Sequence, residues 1–237
     1  MERQQRLHSG TSRHPTWLLF GFWFCFVIAI AVVVRRLSEL IHPSNSARPP
    51  QMAELDAVFS SHATLTAMHI IPAAMFVVLA AIVLLRRRPG ELMERLFFPF
   101  GAITGITAYA MSAYAIGGWI ERSAVLLFNT WFLFSLARAY WLRVKGNPEK
   151  KRAWMTRAVG ILLGIATTRP VMGVFFATSR ATHLELSQFF GIAFWIGFSI
   201  NAVVIELWLH SKRRAQLHRP ELHLGSVAVP QNQRVAG

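Results

Sequence analysis

The stretch Ala158–Ala177, AVGILLGIATTRPVMGVFFA, holds one charge in twenty residues, and Pro170 directly follows that charge, Arg169. About twenty apolar residues in one helix cross the ~30 Å hydrocarbon core of a bilayer. A guanidinium at that depth costs a few kcal/mol even on lenient insertion scales, so it faces a partner or a polar cavity. The proline removes one backbone donor and frees the Ala166 carbonyl four residues back. The stretch therefore predicts a membrane helix with a polar point inside a bundle.

Five further apolar runs have the same length: Trp17–Val34, Leu65–Leu85, Leu96–Gly117, Ala124–Leu142 and Leu186–Leu209. Together they predict an all-α integral membrane protein, a six-helix bundle over residues 15–210. A polar tail precedes it at 1–14, and a flexible basic tail follows at 211–237. The first run is too long for a signal-peptide core and reads as an uncleaved anchor. Hydrophobic residues make up 54% of the 237-residue chain and charged residues 15%, which excludes an ordinary soluble domain.

The net charge of +14 does not point to nucleic acid, because Lys and Arg gather in short runs beside the apolar segments. With the N-terminus inside, eighteen Lys and Arg fall on the inner side and five on the outer, so both termini are expected in the cytoplasm. The inner runs are expected to attract anionic lipid headgroups. Arg35 and Arg36 go against the rule at the outer end of the first span. Cys25, the only cysteine, lies inside that span, so no intrachain disulfide forms.

Polar residues inside the spans are the candidate site. At ~1.5 Å per residue, His69 on the second span and Arg169 on the fifth reach similar depth in the outer half. Pro72 beside His69 frees the Met68 carbonyl, so two kinked helices bring polar side chains towards one level. Two readings stand. In one, His69, Arg169 and Asn129 form a pocket for a small anionic or quinone-like ligand. In the other, Arg169 caps a freed carbonyl and His69 hydrogen-bonds Asn129 or Tyr109. Near the inner ends, Arg138 and Glu206 are expected to pair, with Asn201 bonding across the bundle.

A b-type haem with His69 as an axial ligand is an alternative, although His62 and His69 share one helix face and neither His183 nor His210 faces them. The spacing of His62, His183, Glu185, Glu54 and Asp56 repeats no metal-ligand pattern, and no phosphate loop or nucleophile motif is present. Gly101-x-x-x-Gly105 and Gly160-x-x-x-Gly164 predict close helix contacts, within the bundle or with a membrane partner or second copy. The latter would make the chain a scaffold or accessory subunit.

From about His69 to Leu209 the chain resembles the predicted bacterial membrane proteins grouped as domain of unknown function family 2306. Lys151-Arg152-Ala153-Trp154-Met155-Thr156-Arg157 is similar to the family's His-Arg-Arg-Trp-Met-x-Arg stretch. Thr168-Arg169 resembles its Thr-x-Arg, and Phe194-Trp195 with Asn201 and Glu206 resembles its closing Trp, Asn, Glu pattern. His69 matches the histidine that opens the first shared helix. Met93-Glu94-Arg95-Leu96 stands where the family shows His-Arg-Trp-x-Gly-Arg, and Lys151 replaces the other histidine. The resemblance implies a bacterial inner-membrane protein and no particular activity.

Overall fold

The computed structural model describes residues 15–42, 50–86 and 90–217, and the expected N-terminal tail lies outside them. These residues are helical almost throughout: α1 (Thr16–Ile41), α2 (Pro50–Ser61), α3 (Ala63–Leu85), α4 (Glu91–Ser112), α5 (Gly118–Val144), α6 (Pro148–Leu162), α7 (Gly164–Thr182) and α8 (Leu186–Leu217). Five stretches are long and apolar enough to cross a membrane: α1, α3, α5, α6 and α7 taken together, and α8. The expected third span is α4. It starts earlier than its apolar run, with Glu91, Glu94 and Arg95 in its first two turns, and is not among the five. The last helix continues to Leu217, so 211–217 is helix rather than flexible tail.

The expected fifth span is not one kinked helix. It is interrupted at Leu163, well before Pro170, which sits inside α7. The interruption falls between Gly160 and Gly164. A β-carbon on Gly160 would come within 2.8 Å of Ile205, and one on Gly164 within 2.6 Å of Phe198. Asn201 ties the two pieces together. Its amide nitrogen donates to the Gly160 carbonyl at 3.2 Å, and its oxygen accepts from Thr167 Oγ1 at 2.8 Å.

Packing follows chain order. α3 lies on α4, α5 on α6 and α7 on α8, and α8 also crosses α5 and α6. The centre of the first layer is Phe76, Phe97 and Phe132, all fully buried, with Phe76 4.5 Å from Phe97 and 5.5 Å from Phe132 between ring centroids. Gly101 makes room for this cluster, since a β-carbon there would meet the Phe76 ring at 2.7 Å. Gly105 is covered in the same way by Leu133. Both small-residue faces are thus covered by the chain's own helices, the first of the two contacts expected of them. Close approach in lipid, where dispersion drives association, is what such faces provide.

α1 stands at the side of the bundle against α3 and α7, with Cys25 as its one buried residue. Its Phe20, Trp23, Phe24 and Val27 are exposed, the pattern of a helix bathed in lipid rather than water. Cys25 Sγ lies 3.6 Å from Thr167 Oγ1, the residue already held by Asn201.

Candidate functional site

At the end of the bundle that carries the α4–α5 and α7–α8 connections, the helices surround a partly open cavity of about 240 Å³. Apolar side chains make most of its wall, with Phe128, Phe132, Phe190, Phe194 and Phe198 contributing rings from α5 and α8. His69, Asn129 and Arg169 all line it. Depth arithmetic on antiparallel helices placed His69 and Arg169 at one level, and the packing adds that both face one space, with Asn129 on its wall.

Each is held differently. His69 Nδ1 lies 3.0 Å from Thr107 Oγ1, whose own proton goes to the carbonyl of Ile103 at 2.7 Å or Thr104 at 3.1 Å. Thr107 therefore accepts from His69 Nδ1–H, and in the neutral ring Nε2 keeps the lone pair. This corrects the expected partners of His69. Asn129 instead donates to the Gly105 carbonyl at 2.8 Å, and Tyr109 shares a hydrogen bond with Thr130 at 2.6 Å. Neither makes a hydrogen bond with His69.

Arg169 caps no carbonyl. Its Nη1 lies 3.9 Å from Met172 Sδ, a weak acceptor, and its buried Nε has no partner. Among the described residues it makes no ion pair, and Glu121 lines the same cavity without contacting it. A buried donor on a charged group with nothing to donate to is costly, and such an atom is uncommon in a finished fold.

Two charged liners were not singled out in the sequence. Glu121 sits in the first turn of α5, and its Oε2 accepts from the Gly117 N–H at 2.8 Å. Its signal was available: Glu121, Ala124, Phe128 and Phe132 form one buried stripe at helical spacing. Arg36 enters from α1. It reaches Asp56 of α2 at 2.7 Å and lies over the Phe59 ring at 4.2 Å, while Arg35 reaches the same carboxylate at 3.2 Å. The two arginines that break the charge rule are thus answered by one acid on the next helix. His62, between α2 and α3, stacks on Tyr114 at 3.7 Å. Both cavity histidines therefore come from one segment of chain.

The expected Arg138–Glu206 pair is not formed. Glu206 binds Arg157 of α6 through both oxygens, with Nη2 2.9 Å from Oε2. Arg138 lies over Trp141 at 4.7 Å and Trp154 at 5.7 Å instead. α6 stands between α5 and the Glu206 face of α8, so the nearer cation wins. Asn201 belongs to neither charge and serves the α6–α7 interruption.

Long apolar helices packed around a cavity that holds an unpartnered buried guanidinium define a multi-pass helical membrane protein. The chain belongs to the family described as predicted membrane protein, DUF2306, which matches residues 66–209. No curated protein and no solved structure matches it. The match covers α3 from Thr66 through α8 to Leu209, hence every wall of the cavity except α1, α2 and the turn at His62. Lys151 Nζ, at the start of the basic stretch, donates to Glu94 Oε1 on α4 at 2.7 Å.

Proposed function

We propose that this is a six-span protein of the bacterial inner membrane, with both termini cytoplasmic, that binds a small anionic or quinone-like molecule in the cavity. α4 supplies the sixth span: its 22 residues reach ~33 Å at 1.5 Å per residue. The Lys and Arg asymmetry supports the orientation, and pairing of Arg35 and Arg36 with Asp56 removes its main exception. The cavity then opens into the outer half of the bilayer.

The observation that carries the binding reading is the unpartnered Nε of Arg169 at the wall of an apolar cavity. Attraction between that cation and an electron-rich oxygen is several-fold stronger there than in water, because little water screens it. A cavity near 150 Å³ admits one benzene, so about 240 Å³ admits a substituted six-membered ring and is small for a tetrapyrrole. Phenylalanine rings on the wall favour the same flat shape. A carboxylate or quinone carbonyl on Arg169, with a second oxygen towards the second N–H of the Asn129 amide, satisfies the site; His69, whose Nε2 carries a lone pair, would accept from a hydroxyl instead. No reacting group is required, and the activity is read as binding.

The test is thermal stabilisation of the purified protein by a short-tailed benzoquinone and by benzoate. At least one probe is expected to raise the melting temperature of the wild type and leave Arg169→Met unmoved. Equal shifts in both proteins, with Arg169→Met folded, refute the reading. An absorption spectrum run alongside checks the haem alternative, since a Soret band in the purified protein would replace the quinone-like ligand with a cofactor on His69.

A further inference from the structure

At the opposite end of the bundle, cations and indole rings alternate across three helices. Lys145 Nζ lies 4.5 Å from the Trp141 ring, and Arg138 lies 4.7 Å from the same ring. Arg138 then lies 5.7 Å from Trp154, which Arg157 covers at 4.2 Å, and Arg157 ends the row on Glu206. Several neighbouring cations are answered by acids or carbonyls. Arg143 and Lys151 reach Glu94 at 3.1 and 2.7 Å, Arg95 reaches Glu91 at 2.6 Å, and Arg152 donates to the Leu84 carbonyl. Arg138 and Lys145 rest on rings alone.

We propose that Arg138, Lys145 and the exposed Trp141 between them bind the phosphate headgroup of an anionic phospholipid. Three features point there. Arg138 lies six residues inside the end of α5, about 9 Å along the helix, where headgroups meet hydrocarbon. The Trp141 ring is exposed on the outside of the bundle, and an indole at that level sits among headgroups by preference. The row carries three cations and one carboxylate, so it is short of negative charge. The two unanswered charges stand on one ring, within about 10 Å of each other, a spacing that one phosphodiester or a pair of them bridges in basic pockets between membrane helices. The cavity plays no part here, so failure of one reading leaves the other standing.

The full-length protein, purified in detergent, would be titrated with phosphatidylglycerol, cardiolipin, phosphatidylcholine and inorganic phosphate and read by native mass spectrometry. Two phosphate–cation contacts give an expected preference of about thirtyfold for an anionic over a zwitterionic lipid. Arg138→Gln/Lys145→Gln is expected to lose most of that preference, while Lys150→Gln, an exposed cation at the same end, keeps it. A preference unchanged in the double variant overturns the proposal. So does full displacement of lipid by millimolar inorganic phosphate, which would make this a free-anion site. A second measurement needs no variant: in vesicles, brominated phosphatidylglycerol should quench tryptophan more than brominated phosphatidylcholine at equal mole fraction. Equal quenching also overturns the proposal.

Discussion

Removing the amide of Asn201 tests how the family-matched half of the bundle is held together. Asn201→Ala deletes a donor to Gly160 O at 3.2 Å and an acceptor for Thr167 Oγ1 at 2.8 Å, one on each side of the interruption at Leu163. Interhelical hydrogen bonds in membranes average ~0.6 kcal/mol and reach ~1.7, so the two together contribute roughly 1–3 kcal/mol. The lower half of that range is expected, because the Thr167 hydroxyl can turn back to a carbonyl one turn earlier in its own helix. For a chain of this size about 1.5 kcal/mol lowers the melting temperature by roughly 3–6 °C. The assay is thermal unfolding in detergent of wild type, Asn201→Ala, Thr167→Val and the double variant. The singles should combine to more than the double, with a coupling of about 0.5–1 kcal/mol. A single variant within 0.5 kcal/mol of wild type, or additive singles, refutes the idea that Asn201 bridges a broken span.

Four other outcomes are expected. Glu206→Gln and Arg157→Gln should couple by about 1 kcal/mol in a double-mutant cycle, modest because Glu206 is one-third exposed, whereas Glu206→Gln and Arg138→Gln should be additive. Gly164→Leu should lower the yield of folded monomer, by overpacking of about 1–3 kcal/mol or more against Phe198, and leave crosslinking patterns in native membranes unchanged; loss of a discrete crosslinked partner with normal monomer stability would contradict this. Glu121→Gln removes a negative charge from the cavity wall and should tighten benzoate roughly fivefold by titration, with little effect on an uncharged quinone. Thr107→Val should destabilise the protein by about 1 kcal/mol in thermal unfolding, because it leaves the buried His69 Nδ1–H without its acceptor; a variant as stable as wild type would contradict that bond.

What the sequence made legible is one coordinate of each residue, and what it concealed is the other two. Rise along a helix is fixed at 1.5 Å per residue, so His69 and Arg169 were placed at one level from span boundaries alone, and both line one cavity. The direction in which a side chain leaves its helix depends on how neighbours rotate and cross, and there the reading fails. Arg157 was counted with the inner connection because the apolar run starts at Ala158, yet α6 begins at Pro148 and Arg157 reaches Glu206 across the α6–α8 contact. The interruption of the fifth span was misplaced for a related reason. Proline is a local steric signal and Pro170 is accommodated inside α7, whereas Gly160 and Gly164 act through what presses on them, Ile205 and Phe198 from a helix forty residues away. Glu121 shows the complementary case. An acid beside a glycine turn looks like a solvated loop residue until its place on the buried stripe of α5 is counted. A charged side chain on an apolar stripe is therefore a better pointer to this cavity than a charged side chain in an apolar run, because the stripe encodes direction and the run encodes only depth. By that criterion Arg36, one helix outside the family-matched region, belongs to the site as much as Arg169 does: it faces inward beyond Ala29, Val32 and Val33 on the α1 surface that closes the cavity.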